Sequence, residues 1–134
     1  MRLEVTRRAD LAVRALVALE GAATRVKAPV LAETLGTTPG FVAQVMAPLV
    51  HAEWVASDPG PTGGYSLRVA LGGVSVLAVI EAVDGATDQG RCVVEDRACD
   101  GSHPCALHAA WASARADLTG RLAATPVASL VAGR

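Results

Sequence analysis

Apolar residues recur along this chain in a changing rhythm, and the changes mark its elements. After Thr6, a plausible N-cap, Leu11, Ala15, Leu16 and Leu19 repeat at helical spacing until Gly21. A polar turn through Thr24–Lys27 leads to Pro29 and a short helix over Val30–Leu35 that Gly36 stops. Thr38-Pro39 reads as a second cap and first turn. It opens a helix carrying Phe41, Val42, Val45, Met46 and Leu49, in which Pro48 is expected to kink or shorten the regular part. The period then changes to two. Trp54-Val55-Ala56, the Pro/Gly-rich Asp58–Gly64 and the alternating Tyr65–Val69 spell strand, turn and strand. Ser75 caps a fourth helix over Val76–Val83 that Gly85 ends. Ala86–Pro104 has no period. From Cys105 a long helix is expected to about Ala123, with Leu107, Trp111, Ala114, Leu118 and Leu122 at steps of three and four, and Thr125-Pro126 starts a last short helix.

Three helices followed by a hairpin give a mainly α winged helix-turn-helix with a small β-hairpin wing and a long C-terminal helix. The expected division is a winged domain over residues 1–85, a cysteine-bearing loop over 86–104, and a dimerisation helix with its tail over 105–134. In the helix-turn-helix at Pro29–His51 the second helix would enter the major groove and offer Thr38, Gly40, Phe41 and Gln44 to base edges. Gln pairs bidentately with adenine, and a Phe can stack on sugar or touch a thymine methyl. The wing, Pro61, Thr62, Gly63, Gly64 and Tyr65, would lie along phosphates or in the minor groove.

Charge changes this picture. The 134 residues carry a net charge of -1, so DNA binding needs a local basic patch. Between Ala28 and Leu67 there is no Lys or Arg, which leaves phosphate contacts to the flanking Arg2, Arg7, Arg8, Arg14, Arg25, Lys27 and Arg68. Composition adds that half the chain (51%) is apolar while aromatics are 3%, as suits a core of helices built from Ala, Val and Leu. No apolar run is long enough for a bilayer, and the charged Met1–Arg8 is unlike a signal peptide, so a cytoplasmic location without membrane partners is expected. Structural disulfides are disfavoured there. No serine or cysteine nucleophile with a base, no phosphate loop and no paired carboxylates are evident, so neither an enzyme nor a small-molecule substrate is expected.

All three cysteines fall between Cys92 and Cys105, with gaps of six and five residues, and His108 follows three residues after Cys105. Three thiolates and one further ligand suit a metal or cluster site. Cys105 at the start of a helix would feel its dipole, and His108 would project from the same face. Residue types and spacing leave an iron–sulfur cluster, a structural zinc and a thiol redox switch all open. His103, before Pro104, is expected to be merely exposed.

The chain resembles the Rrf-type winged-helix transcription regulators, the IscR/NsrR family, over almost its whole length. The residues that carry the resemblance are Met1-Arg2-Leu3, the first-helix run Ala9–Leu16, the wing Gly60–Tyr65, Val79–Gly85, and above all Cys105-Ala106-Leu107-His108-Ala109-Ala110-Trp111. The resemblance implies a homodimer formed through the long helix, binding promoter DNA under control of a cluster on Cys92, Cys99 and Cys105. The regulator so implied would sense nitric oxide, redox or cluster and iron status. In IscR-type members a histidine equivalent to His108 completes a [2Fe-2S] site. In some NsrR-type members an aspartate matching Asp10, from the partner subunit, completes a [4Fe-4S] site. Both residues are present here. His108, in the better-matched segment, is preferred, and Asp10 has a simpler role pairing with Arg14. The chain also departs from the family. Its first cysteine gap is six residues instead of five, Pro59 stands where an arginine is common in the wing, and Glu53 stands where glycine commonly precedes the hairpin.

Overall fold

The structure, a computed structural model, describes residues 1–131; the last three residues of the expected C-terminal tail lie outside the described residues. Helix α1, Arg7–Glu20, starts where the Thr6 side chain accepts the Ala9 N–H, and it buries Leu11, Ala12, Ala15, Leu16 and Leu19. Helix α2, Ala28–Leu35, has Pro29 in its first turn and ends on Gly36 in the left-handed conformation (φ +71°). Helix α3, Pro39–His51, begins under the Thr38 cap, whose hydroxyl accepts the Phe41 N–H at 3.2 Å. Pro48 does not shorten α3, which runs on to His51. A proline inside a helix forfeits one backbone bond, and the burial of Val42, Val45, Met46 and Leu49 against α1 and α2 holds the rest in register.

The end of α3 explains the departure at Glu53. Trp54 N–H reaches Leu49 C=O at 3.1 Å and Glu53 N–H reaches Val50 C=O at 2.9 Å, which is a Schellman closure. The closure needs a left-handed residue, and Glu53 supplies it with φ +64°, alone among the non-glycine described residues. The chain therefore accepts side-chain crowding where glycine would relieve it.

The hairpin comprises β1, Val55–Asp58, and β2, Gly64–Leu67, antiparallel with Val55 opposite Leu67 and Asp58 opposite Gly64. Both strands are offset from the expected Trp54–Ala56 and Tyr65–Val69. The Schellman turn takes the Trp54 N–H, and past Leu67 a single bond, Arg68 N–H to Trp54 C=O at 2.8 Å, ends the pairing. A third segment pairs with β2 near the wing turn, where Val26 and Tyr65 exchange both backbone bonds at 2.9 and 2.8 Å. This pairing fixes the wing against the segment between α1 and α2.

A 3-10 turn, Leu71–Gly73, precedes α4, Val76–Asp84, capped by Ser75 and closed at Gly85. Helix α5, His108–Ala123, is followed by α6, Ala128–Val131. Between α5 and α6 the chain returns to the core. Thr125 C=O accepts the Val76 N–H and Val74 C=O accepts the Val127 N–H, each at 2.8 Å, and the buried Val127 enters the core formed by α1–α4. Helix α5 is thus tethered at its far end, yet none of its residues is buried, and Leu107 and Leu118 are close to half exposed. No helix among the described residues is long and apolar enough to cross a membrane.

Candidate metal centre and nucleic-acid interface

The loop from Ala86 to Leu107 is built around its cysteines. Its first half folds back on itself. Cys92 N–H donates to Arg97 C=O and Cys99 N–H to Gly90 C=O, each at 2.9 Å, with Arg91 opposite Ala98. That small ladder fixes the backbones of Cys92 and Cys99. Asp100 then accepts the N–H groups of Ser102 and His103 at 2.8 and 3.0 Å, and the turn it makes returns Cys105 to the other two cysteines. The His103 and Ser102 N–H groups hold the Asp100 carboxyl below the usual carboxylate range. The extra residue in the first gap is absorbed within this ladder and its tip.

The three Sγ atoms lie within 4.8 Å of one another, and all three thiols are free. The Cys92 Sγ accepts the Val94 and Glu95 N–H groups at 3.4 Å each, and those two bonds pull its thiol below the ordinary range. The Cys99 thiol is pulled down by the Cys105 backbone N–H. Burial and the neighbouring Cys105 and Cys92 thiols outweigh that pull and leave it raised. A cleft of about 260 Å³ opens beside the group, lined among others by Arg91, Asp100, His108, Trp111 and Arg115.

His108 Nδ1 stands 3.2 Å from the Cys99 Sγ. The expected geometry needs correction on one point: Cys105 does not start the long helix. Its carbonyl accepts the His108 N–H at 3.1 Å in a turn, and the first full helical bond runs from Trp111 N–H to Leu107 C=O at 2.9 Å. Cys105 stays outside α5 because the chain there is still turned toward Cys92 and Cys99. The imidazole therefore reaches the site from the first residue of α5 and meets Cys99, and a helical face shared with Cys105 plays no part. Asp10 is exposed on α1 and pairs with Arg14 at 3.6 Å. His103 is exposed, as expected.

Soft thiolates beside an imidazole are a donor set for zinc or iron. A tetrahedral metal with bonds of ~2.3 Å would hold its sulfurs about 3.8 Å apart, and the observed separations approach that spacing. The residues fit a metal group held by three sulfurs, with one further donor at hand.

The other candidate surface lies on α3 and the wing. Thr38, Gly40 and Gln44 are exposed on one side of α3, while Phe41 is half-buried against the core. At the wing tip Pro61 and Thr62 are exposed; Tyr65 packs on the core and Gly63 is buried. A Cβ on Gly63 would fall 2.0 Å from the Asp58 carbonyl oxygen, and one on Gly64 2.8 Å from that of Val26. Gly63 lets the wing turn close on Asp58, and Gly64 lets the wing approach the segment between α1 and α2. The cations missing from the wing's sequence arrive from the turn between α1 and α2. Arg25 pairs with Asp58 at 3.0 Å, and the Lys27 ammonium donates to the Pro61 carbonyl. Arg2, Arg7 and Arg8 are exposed around the start of α1.

That start is joined to the cysteine loop by a contact that the sequence did not signal. The Thr6 hydroxyl, besides capping α1, donates to the Asp84 carboxylate at 2.7 Å, one residue before Gly85 leads into the loop. Arg115 of α5 faces Asp88 of the loop at 3.6 Å.

Residues 5–133 match the model of the Rrf2 family, described as iron-dependent transcriptional regulators. The HTH-type transcriptional regulator IscR of Cronobacter sakazakii is 34% identical over 122 residues, spanning 90% of this chain and 75% of that protein. IscR of Serratia proteamaculans is 31% identical over 131 residues, 96% of this chain and 79% of that protein. Among solved structures, CymR, the global cysteine regulator of B. subtilis, superposes with a TM-score of 0.78 at 17% identity, covering 99% of both chains. IscR of T. potens superposes at 0.74 with 20% identity, covering 98% of this chain and 88% of that one. At those identities the structural likeness is one of fold, and it is the winged helix with a hairpin wing and a long C-terminal helix. By the family match and by its sequence relatives, the chain belongs to the Rrf2 family of transcriptional regulators.

Proposed function

We propose that this protein is a cytoplasmic, homodimeric, DNA-binding transcription regulator whose affinity for promoter DNA follows the state of an iron–sulfur cluster held by Cys92, Cys99, Cys105 and His108. The observation that carries the proposal is the convergence of three free thiols within 4.8 Å, with an imidazole 3.2 Å from one of them, on a winged helix. Residues 1–85 form the DNA-binding part, 86–104 the cluster loop, and α5 the dimerisation element.

The cluster, [2Fe-2S] with His108 as fourth ligand, would supply a redox-active iron centre that oxidants and nitric oxide attack. The protein residues do the rest. The Cys92–Cys99 ladder and the Asp100 turn orient the thiolates, and Trp111 and Arg115 wall the cleft beside them. Thr38, Gly40, Phe41 and Gln44 read bases. Arg2, Arg7, Arg8 and the wing residues Pro61, Thr62, Gly63, Gly64 and Tyr65 contact or shape the surface that meets phosphates. The Thr6–Asp84 bond supports a path between loop and DNA surface that needs no large motion. Selection of bound genomic fragments by the loaded protein, repeated after cluster removal, tests the proposal. A recovered, roughly palindromic motif whose enrichment changes on removal supports it; no enrichment in either state refutes it.

A second reading, a structural zinc or a thiol switch in place of the cluster, draws support from the tightness of the sulfur group, which already approaches the spacing around one tetrahedral ion. Zinc, iron and sulfide counts on the purified protein separate the two.

A further inference from the structure

Cys92, Cys99 and Cys105 are chemically alike but structurally unequal. The backbones of Cys92 and Cys99 are both fixed in the small ladder, through Arg97 C=O and Gly90 C=O. Closing a disulfide between those two would pull against two rungs. Cys105 is the movable partner, since it follows the exposed Asp100–Pro104 turn and precedes the first helical bond of α5. Its choice lies between Cys92 and Cys99. Cys99 is buried (8% exposed), with its sulfur 3.2 Å from His108 Nδ1. Cys92 is more open, and its sulfur is held in place by the Val94 and Glu95 N–H groups at 3.4 Å. The Sγ separations, within 4.8 Å, are a side-chain rotation away from a sulfur–sulfur bond of ~2.0 Å.

We infer that Cys92 and Cys105 form a peroxide-driven disulfide when the site carries no metal group, with Cys99 held out of the exchange by His108. This inference rests on the thiols being free for part of the protein's life, as the proposed loss of the cluster provides. The chemistry is two-electron. The Cys92 thiolate attacks hydrogen peroxide, an S–O bond forms, the O–O bond breaks, and the leaving hydroxide takes a proton to become water. The Cys105 thiolate then attacks the Cys92 sulfur. The S–S bond forms, the S–O bond breaks, and a second water leaves. Two thiols are oxidised and one peroxide is reduced to two waters. The bond would close the loop from its first cysteine to its last and remove two of its three thiolates from ligation. A stripped protein would be locked against reloading until a reductant reopened it. The loop would then record oxidant exposure separately from cluster loss.

The test uses the full chain, purified without air, with iron and sulfide counted first. The metal group is removed with a chelator, one equivalent of hydrogen peroxide is added, and remaining thiols are alkylated with iodoacetamide. Cleavage after Arg97 and before Asp100 places the three cysteines on three separate peptides for tandem mass spectrometry. One intrachain Cys92–Cys105 link is expected, with Cys99 carrying the label. Cys105→Ser should stop the reaction at a Cys92 sulfenic acid that dimedone captures. In His108→Ala, links from Cys99 to Cys105 should appear beside the main one. A wild-type link that includes Cys99, a link between chains, or three labelled thiols overturns the inference. Absence of iron in the initial count would instead overturn the cluster proposal and leave the pairing result to stand or fall by itself.

Discussion

The imidazole Nδ1 of His108 lies 3.2 Å from the sulfur of Cys99, at the junction where the cysteine loop becomes α5. Asp10, the other residue that could complete the site, is engaged with Arg14 on α1. The two therefore separate under mutation. His108→Ala should shift the visible spectrum and shorten cluster lifetime in air, while Asp10→Ala should leave both nearly unchanged. Electronic absorption and circular dichroism on the two variants check this. The reverse pattern would assign the fourth ligand to Asp10 of a partner subunit and favour a [4Fe-4S] group.

The wing depends on two glycines for different reasons. Gly64 has φ +132°, and a Cβ there would meet the Val26 carbonyl at 2.8 Å, so Gly64→Ala strains both the torsion and the Val26–Tyr65 pairing. Its expected cost is about 1–3 kcal/mol, read as a lower midpoint in chemical denaturation. Glu53→Gly should move the midpoint the other way, by up to about 1 kcal/mol, because it removes a left-handed side chain from the Schellman turn. An unchanged midpoint for both would show that neither backbone conformation is strained.

On the proposed reading, DNA contacts divide into readers and holders. Gln44 is exposed on α3, and Gln44→Ala should cost about 1–3 kcal/mol on the selected site and much less on random DNA. Arg8→Ala should weaken all sequences alike and flatten the dependence of affinity on salt. Fluorescence anisotropy at several salt concentrations measures both. Equal losses on cognate and random DNA for Gln44→Ala would remove α3 from the major groove.

No residue of α5 is fully buried within its own chain, and Leu107 and Leu118 stand 45% and 46% exposed. A second copy would cover that seam. Leu118→Glu should convert the proposed dimer to monomers in sedimentation velocity while leaving far-ultraviolet circular dichroism unchanged. A monomeric wild type at micromolar concentration would contradict the dimer.

Much of this architecture was written in local signals. Thr6, Thr38 and Ser75 each act as the cap their position predicts, and Gly36 and Gly85 end their helices. The clustering of the cysteines was legible because no period competes with them between Ala86 and Pro104. Features that depend on long-range partners were not. The start of α5 moved from Cys105 to His108 because the chain at Cys105 is still turned toward Cys92 and Cys99, a long-range placement that helical periodicity cannot express. The Val26–Tyr65 rung, the return of Val127 to Val74 and the Thr6–Asp84 bond join segments 39, 53 and 78 residues apart. Glu53 gave the opposite kind of difficulty, because its place where relatives carry glycine hinted at a special turn, yet only the backbone torsion identifies which one.

The most direct measurement is an anaerobic purification followed by a visible spectrum and counts of iron, acid-labile sulfide and zinc per chain. Brown protein with iron and sulfide in equal amounts is expected, with the colour lost in Cys92→Ala, Cys99→Ala and Cys105→Ala alike. Colourless protein holding one tightly bound zinc per chain, unaffected by anaerobic handling, would contradict the cluster and leave a winged-helix regulator with a structural metal.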